Sequence, residues 1–265
     1  MIKAKKSLGQ NFLIDKNIIR KIINLVKLEK KNIIEIGAGH GALTDEILKK
    51  KPNLLNIIDK DIILYKKLKI KYSGVKNVKL FNDDILDFDL ESLVKKNSII
   101  IGNLPYNISS QILVKILRFK KWPPNFENLI FMFQKELGEK ILGVCPSVNY
   151  GRLSILSNYR LNFLNKFLVS KNCFFPKPKI DSTVLLFQPI NNKSYVIKDI
   201  ENLEKVTQLF FSNKRKMINK TFKKLKINND EFIKNLNIDL TLRPEKISEN
   251  LFYKITEFYE KKLIK

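Results

Sequence analysis

From Asn32 onward the chain alternates short apolar runs with longer stretches of helical period, and that rhythm restricts it to the α/β class. Strands are expected over Asn32–Ile36, Leu54–Ile58, Val78–Phe81, Ser98–Ile101 and Leu129–Phe133. Helices are expected between them, over Leu43–Lys50, Ile62–Ile70, Glu91–Lys95, Ser110–Phe119 and Glu136–Leu142. Such β-α repetition predicts a mostly parallel sheet covered on both faces. The rhythm then changes. Asn162–Val169 and Ser182–Gln188 read as strands joined by Phe174-Phe175-Pro176-Lys177-Pro178, which predicts an antiparallel pair closing the sheet. Pro189–Ser194 interrupts the periodicity, and everything beyond it reads as helix. There Phe211, Ile218, Phe222 and Leu225 mark an apolar stripe, and Lys214, Arg215, Lys216, Lys220, Lys223 and Lys224 crowd the rest. Two domains are therefore expected, 1–190 and a small, basic, all-helical 191–265.

Composition narrows the classes of function. No apolar run reaches the roughly 18 to 20 residues of a membrane helix, and no signal-peptide pattern opens the chain. The basic Met1–Gln10 runs directly into motif-bearing sequence, so a removable transit peptide is not expected; a cytoplasmic location is. Cys145 and Cys173 form no CxxC pair and His40 is the sole histidine, so neither a disulfide framework nor a metal site is expected. The formal charge of +24 points to a polyanionic partner. Only six of the 50 basic residues are arginine, and abundant Lys, Ile and Asn are what an A+T-rich coding genome produces without selection for binding. The excess still favours nucleic acid over a small anion, while any individual lysine reads equally well as part of a solvated face.

Ile33-Ile34-Glu35-Ile36-Gly37-Ala38-Gly39-His40-Gly41-Ala42-Leu43-Thr44 reads as a strand, a glycine turn and a helix. Glycines at 37 and 39 let the backbone pass close to a ligand where a Cβ would clash. The spacing is GxGxG, not the GxGxxG of dinucleotide folds, and Glu35 suits an ammonium-bearing ligand better than a pyrophosphate. S-adenosylmethionine, with an ammonium and a sulfonium and no phosphate, fits that description; an ordinary βα turn that binds nothing fits the spacing as well. No GKS or GKT follows, which disfavours nucleotide hydrolysis. Open α/β sheets bind at the carboxyl ends of their strands, so Asn82-Asp83-Asp84 offers carboxylates to an adenine amine or, equally, a solvated turn.

Gly102-Asn103-Leu104-Pro105-Tyr106-Asn107 follows the fourth strand. An exocyclic adenine amine is a poor nucleophile because its lone pair is delocalised into the ring. Accepting hydrogen bonds from its N6 hydrogens, through the Asn103 amide oxygen and the Leu104 carbonyl, favours the pyramidal amine that attack requires. Tyr106 offers a ring on which the base stacks. Stacking is worth about 1–3 kcal/mol against roughly 0.5–1.5 for a neutral hydrogen bond, so Tyr106 holds the base and Asn103 orients it.

Taken in order, these motifs resemble the KsgA (RsmA) family of ribosomal RNA adenine dimethyltransferases, with its eukaryotic and Erm relatives. They stand as Lys6-Ser7-Leu8-Gly9-Gln10-Asn11-Phe12-Leu13, then Glu35 to Thr44, then Asp84, then Asn103 to Ser109. Gln134-Lys135-Glu136, Tyr150-Gly151-Arg152-Leu153-Ser154, Phe174 to Ser182 and Lys214-Arg215-Lys216 continue the series to Arg243-Pro244-Glu245. The resemblance implies a Rossmann-like class I methyltransferase domain over 1–190. It implies an S-adenosylmethionine cofactor touched by Asn11, Leu13, Glu35, Gly37, Gly39, Asp59, Asp84 and Asn103. It implies a target base met by Asn103, Leu104, Tyr106 and Phe174, with Phe174 closing on the far side of the base or serving as a core aromatic. The family's ribose-binding acid falls at Ile57 by this reading, which implies weakened cofactor binding unless Asp59 substitutes. The implied reaction is metal-free dimethylation at N6 of two adjacent adenosines in the 3′-terminal hairpin of small-subunit (16S) rRNA, during ribosome assembly and by a monomer. An Erm-like action on large-subunit rRNA, and a binding factor without transfer, remain alternatives.

Overall fold

The computed structural model describes residues 10–190, 194–225 and 230–263. Its elements run β1 (Phe12–Leu13), α1 (Lys16–Ile23), β2 (Asn32–Ile36), α2 (Ala42–Lys49), β3 (Leu54–Ile58) and α3 (Ile62–Lys71). Then come β4 (Val78–Phe81), α4 (Leu90–Leu93), β5 (Ser98–Asn103), α5 (Ser109–Leu117), β6 (Phe126–Gln134) and α6 (Lys135–Ile141). After α7 (Arg152–Arg160) follow β7 (Leu161–Val169), β8 (Phe174–Phe175) and β9 (Ser182–Pro189). The last elements are α8 (Ile200–Phe211), α9 (Asn219–Lys224), α10 (Asp230–Asn235) and α11 (Glu249–Leu263).

Seven strands form one sheet in the order β4-β3-β2-β5-β6-β9-β7. The pairs from β4 to β6 are parallel and those of β9 with β6 and β7 are antiparallel, so the expected closing pair is present. Strands buried on both faces carry apolar side chains at nearly every position. Ile33, Ile34, Leu55, Ile57, Ile99, Ile100 and Ile101 are accordingly fully buried. Chain order reverses between β2 and β5, and in such sheets the crevice outside the strand ends at the reversal is the binding place.

Three elements beside this sheet, α1, β1 and β8, are not among those expected from the sequence. Helix α1 starts where the Asp15 carboxylate accepts from the Asn17 and Ile18 amides, and it buries Ile19, Ile22 and Ile23. Strand β1 pairs antiparallel with β8, Phe12 opposite Phe175 and Leu13 opposite Phe174. This ties the segment before α1 to the Pro-rich turn.

The chain divides into two compact units, but not at a single boundary. A break does fall after Ile190, where the sequence places it; the stretch Glu139–Arg160, however, belongs with the C-terminal unit and not with residues 1–190. The side chains explain this correction. Tyr150 donates its hydroxyl to the Ile247 carbonyl at 2.8 Å, and Tyr253 donates to the Ile155 carbonyl at 3.1 Å. The described elements of that unit are helical, as expected, around Phe210, Phe222 and Phe252. Its apolar stripe is split: Phe211 ends α8, Ile218 caps α9 and Phe222 lies within it, with Lys214, Arg215 and Lys216 exposed in the turn between. Lys6 to Gly9 lie outside the described residues.

Candidate active site

The glycine turn leaves β2 with Gly37, Gly39 and Gly41 at φ +72°, +60° and +83°. Side-chain-bearing residues rarely adopt this left-handed region. Gly37 needs glycine for backbone conformation alone, since a Cβ there meets only ordinary contacts at 3.7 Å; its amide donates to the Ile58 carbonyl at 2.9 Å. Gly39 is constrained twice, because a Cβ would also lie 2.8 Å from the Phe12 ring. That ring packs against His40 at 4.3 Å between centroids. Burial, helped by Lys67 and Lys71, pushes the His40 pKa down.

Asp59 sits one residue past the end of β3 and pins this turn. Its Oδ2 accepts from the Gly39 amide at 3.1 Å and its Oδ1 from the Asp61 amide at 2.9 Å. Burial raises its pKa, against the lowering effect of those two bonds. Asp61 caps α3 and accepts from Gln10 Nε2 at 2.9 Å.

Two expectations fail here for reasons of strand geometry. Ile57, the position assigned to the absent ribose acid, has no exposed surface and lies in the apolar cluster with Ile33, Leu43, Ile47 and Leu68. The acid at the strand's mouth is Asp59, which does line the cavity. Glu35, expected to meet a ligand ammonium, is also fully buried and is not on the cavity wall. Its Oε2 accepts from the Thr44 hydroxyl at 2.6 Å, and its Oε1 has no hydrogen-bond partner among the described residues. Burial raises its pKa to about 7 from 4.5.

That shift has a consequence for stability. An unfolded chain releases this proton near pH 4.5, whereas the folded chain keeps it until about pH 7. Stability therefore falls as pH rises through that window and levels off above it, by about 3 kcal/mol for this one group. Denaturant unfolding at pH 5.5 and 7.5 is expected to show a smaller pH-dependent loss for Glu35→Gln than for the parent. Equal slopes would show that Glu35 is ionised in its buried place.

The carboxyl ends of β4 and β5 complete the site. Asp84 accepts from the Leu86 amide at 3.0 Å and from Lys60 Nζ at 2.5 Å; the lysine holds its pKa below the usual carboxylate range. Asn103 ends β5 and donates through Nδ2 to the Asn11 carbonyl at 2.9 Å, which fixes the amide and leaves Oδ1 as its accepting end. Leu104 is buried, and Tyr106 is half-buried with its hydroxyl 2.6 Å from Ser182 Oγ. These residues and the glycine turn line one cavity of about 650 Å³, together with Asn11, Leu13, Asp59 and Asp84. Phe174 is not on its wall. The ring is 3% exposed and packs in the core, and its neighbour Phe175 is the exposed one.

In a chain of net charge +24, the cavity has the opposite balance. Among the described residues its wall carries the carboxylates of Asp45, Glu46, Asp59, Asp61, Asp83 and Asp84 against only Lys16, Arg20, Lys49 and Lys60 as cations. Lys60, Phe12, His40 and Gln10 are wall residues to which the sequence reading gave no role. Gln10, Phe12 and His40 stand inside motifs, and Lys60 is the cation enclosed between Asp59 and Asp61. No group of three His, Cys, Asp or Glu residues among those described could hold a metal ion.

A family model described as ribosomal RNA adenine dimethylase matches residues 1–261. The chain belongs to that family. A relative from Pelagibacter ubique, named ribosomal RNA small subunit methyltransferase A, is 42% identical over 265 residues, 98% of each chain. One of the same name from Mycoplasma mobile is 40% identical over 261 residues, 97% of each chain. Among solved structures, a dimethyladenosine transferase from Plasmodium falciparum is similar with a TM-score of 0.77 at 24% identity, covering 95% of this chain and 98% of that one. The 23S rRNA methyltransferase ErmE gives 0.68 at 22%, covering 94% and 100%. At those identities the two structures show a shared fold, and the family membership rests on the sequence matches. As a member of the family, the chain is an S-adenosylmethionine-dependent rRNA adenine dimethyltransferase.

Proposed function

We propose that the chain dimethylates N6 of each of two adjacent adenosines in the 3′-terminal hairpin of small-subunit rRNA, as a monomer in the cytoplasm and within the assembling 30S subunit. The observation that carries this reading is the single cavity in which the glycine turn, Asp84 and the Asn103-Leu104-Pro105-Tyr106 turn share a wall. The relatives' name supports the small-subunit target.

S-adenosylmethionine, when bound, supplies an electrophilic methyl group carried on a sulfonium. The residues present fit such a group: the carboxylate excess favours a cation, and the glycine turn brings backbone without side chains to the cavity wall. Asp59 is the acid placed for the ribose hydroxyls and Asp84 the one for the adenine amine; Asn11 and Leu13 cover the methionine end. Glu35 acts from below the turn, through Thr44, and touches no ligand. Asn103 Oδ1 and the Leu104 carbonyl accept the N6 hydrogens of the target, which directs the amine lone pair at the methyl. The Tyr106 ring, tethered through Ser182, stacks the base after its extrusion from the RNA. No side-chain base is required, because the amine becomes strongly acidic on methylation and loses its proton to water. Holding both reactants in register supplies about 7–11 kcal/mol of the barrier reduction. Exposed lysines of the C-terminal unit, among them Lys214 and Lys216, contact rRNA phosphates.

The test supplies labelled S-adenosylmethionine with unmethylated 30S subunits, 50S subunits or DNA and maps the product nucleosides by mass spectrometry. N6,N6-dimethyladenosine at two adjacent positions of the 30S RNA is the expected result. Methylation of 50S RNA or of DNA in its place would overturn the reading.

A further inference from the structure

We propose that Lys60 is a positioning residue of the cofactor's adenine end, acting through Asp84. The proposal rests on the reading of Asp84 as acceptor for the cofactor's adenine amine and adds to it a residue outside the motifs.

Lys60 belongs to the turn between β3 and α3, whereas Asp84 belongs to the turn between β4 and α4, and both line the cavity. Two sets of bonds stitch these turns together. Asn82 Nδ2 donates to the Asp59 carbonyl at 2.9 Å and to the Lys60 carbonyl at 3.2 Å, fixing the backbone from which Lys60 reaches out. Lys60 Nζ then spans to Asp84 Oδ2 at 2.5 Å. The Leu86 amide holds the other carboxylate oxygen at 3.0 Å, so the plane of the carboxylate is set by one donor at each end.

A carboxylate held by a single backbone amide can turn about its side-chain torsions, and an acceptor that wanders binds an adenine amine less tightly. With Lys60 in place, each Asp84 oxygen keeps a lone-pair direction for the ligand while its charge-assisted partner restrains the group. Lys60 is more than half exposed, with 59% of its side-chain surface open against 19% for Asp84. Its loss therefore does little to the core and acts on the carboxylate.

The experiment is a double-mutant cycle on the full chain, with S-adenosylmethionine as titrant in calorimetry and as the varied substrate in kinetics. Lys60→Met, which retains an unbranched apolar stem, is expected to raise the cofactor Kd and KM about threefold to fivefold, the upper range for an exposed ion pair. The effect falls on KM more than on kcat, and Lys60→Arg restores affinity. In an Asp84→Asn background the Lys60→Met change adds nothing, because the group it positions is altered already. Parental affinity in Lys60→Met, or the same loss in both backgrounds, would overturn the proposal. Parental affinity in Asp84→Asn alone would instead remove the reading of Asp84 on which it rests.

Discussion

Asn103→Ala is expected to lower kcat by about 10²–10³-fold, the magnitude seen when one preorganised hydrogen-bonding group facing a transition state is removed. The amide in the structure is fixed by its Nδ2 bond to the Asn11 carbonyl, so in the proposed reaction Oδ1 is held ready to accept from the target amine without reorganisation. That acceptor matters most as the amine pyramidalises, which happens on the way to the transition state and not in the bound base. Tyr106 stacking and the phosphate contacts of the RNA remain, so binding should fall by less than about tenfold. Single-turnover kinetics at saturating RNA, beside RNA binding by filter retention, separates the two quantities. Parental turnover in Asn103→Ala would show that the amine is activated elsewhere.

Ile57→Glu is expected to unfold the N-terminal unit or lower its melting temperature by roughly 8–16 °C or more, as a loss above about 4 kcal/mol implies at this size. The Ile57 side chain is wholly buried in the cluster with Leu55, Leu68 and Tyr72. Replacing it forfeits about 1.5–3 kcal/mol of apolar burial and buries a second carboxyl beside Glu35, its register partner on the neighbouring strand, a cost of several kcal/mol more. Counting motif residues along the sequence leads to the opposite expectation, a tighter ribose contact. Thermal unfolding of the purified variant decides between them. A parental melting temperature with tightened S-adenosylmethionine binding would place residue 57 on the cavity and not in the core.

The contrast between Ile57 and Asp59 shows where sequence reasoning reaches its limit. Strands β2, β3 and β5 were legible because a parallel strand buried on both faces is apolar at nearly every position, and its ends are marked by the first glycine, asparagine or aspartate. The same uniformity hides which way each side chain points. An acid two residues further on therefore reads as a second acid when it is in fact the one at the cavity. Glu35 was misread for the same reason: its place in the motif was legible, its orientation toward Thr44 was not.

Other features were invisible because their cause is non-local. The β1–β8 pair involves two residues on each side, too few for a period, and it forms only because the Pro-rich turn returns to Leu13. Glu139–Arg160 lies inside the sheet domain by sequence position, yet its Tyr150 and Ile155 bond to residues beyond 240. Helix α7 buries Ser154, Ile155, Leu156, Ser157, Tyr159 and Arg160, a pattern with no apolar face to recognise. Asn103, Leu104, Tyr106, Asp84, Gly37 and Gly39 were legible because each follows directly on a strand end, where the fold class itself fixes the location.

A crystal structure with S-adenosylhomocysteine tests most directly whether the acid-lined cavity is where methyl group and adenine amine meet. The account predicts the ribose at Asp59, the adenine amine at Asp84, and the sulfur facing the Asn103 amide across the glycine turn. A homocysteine sulfur turned away from Asn103, or a ligand bound outside this cavity, would contradict it.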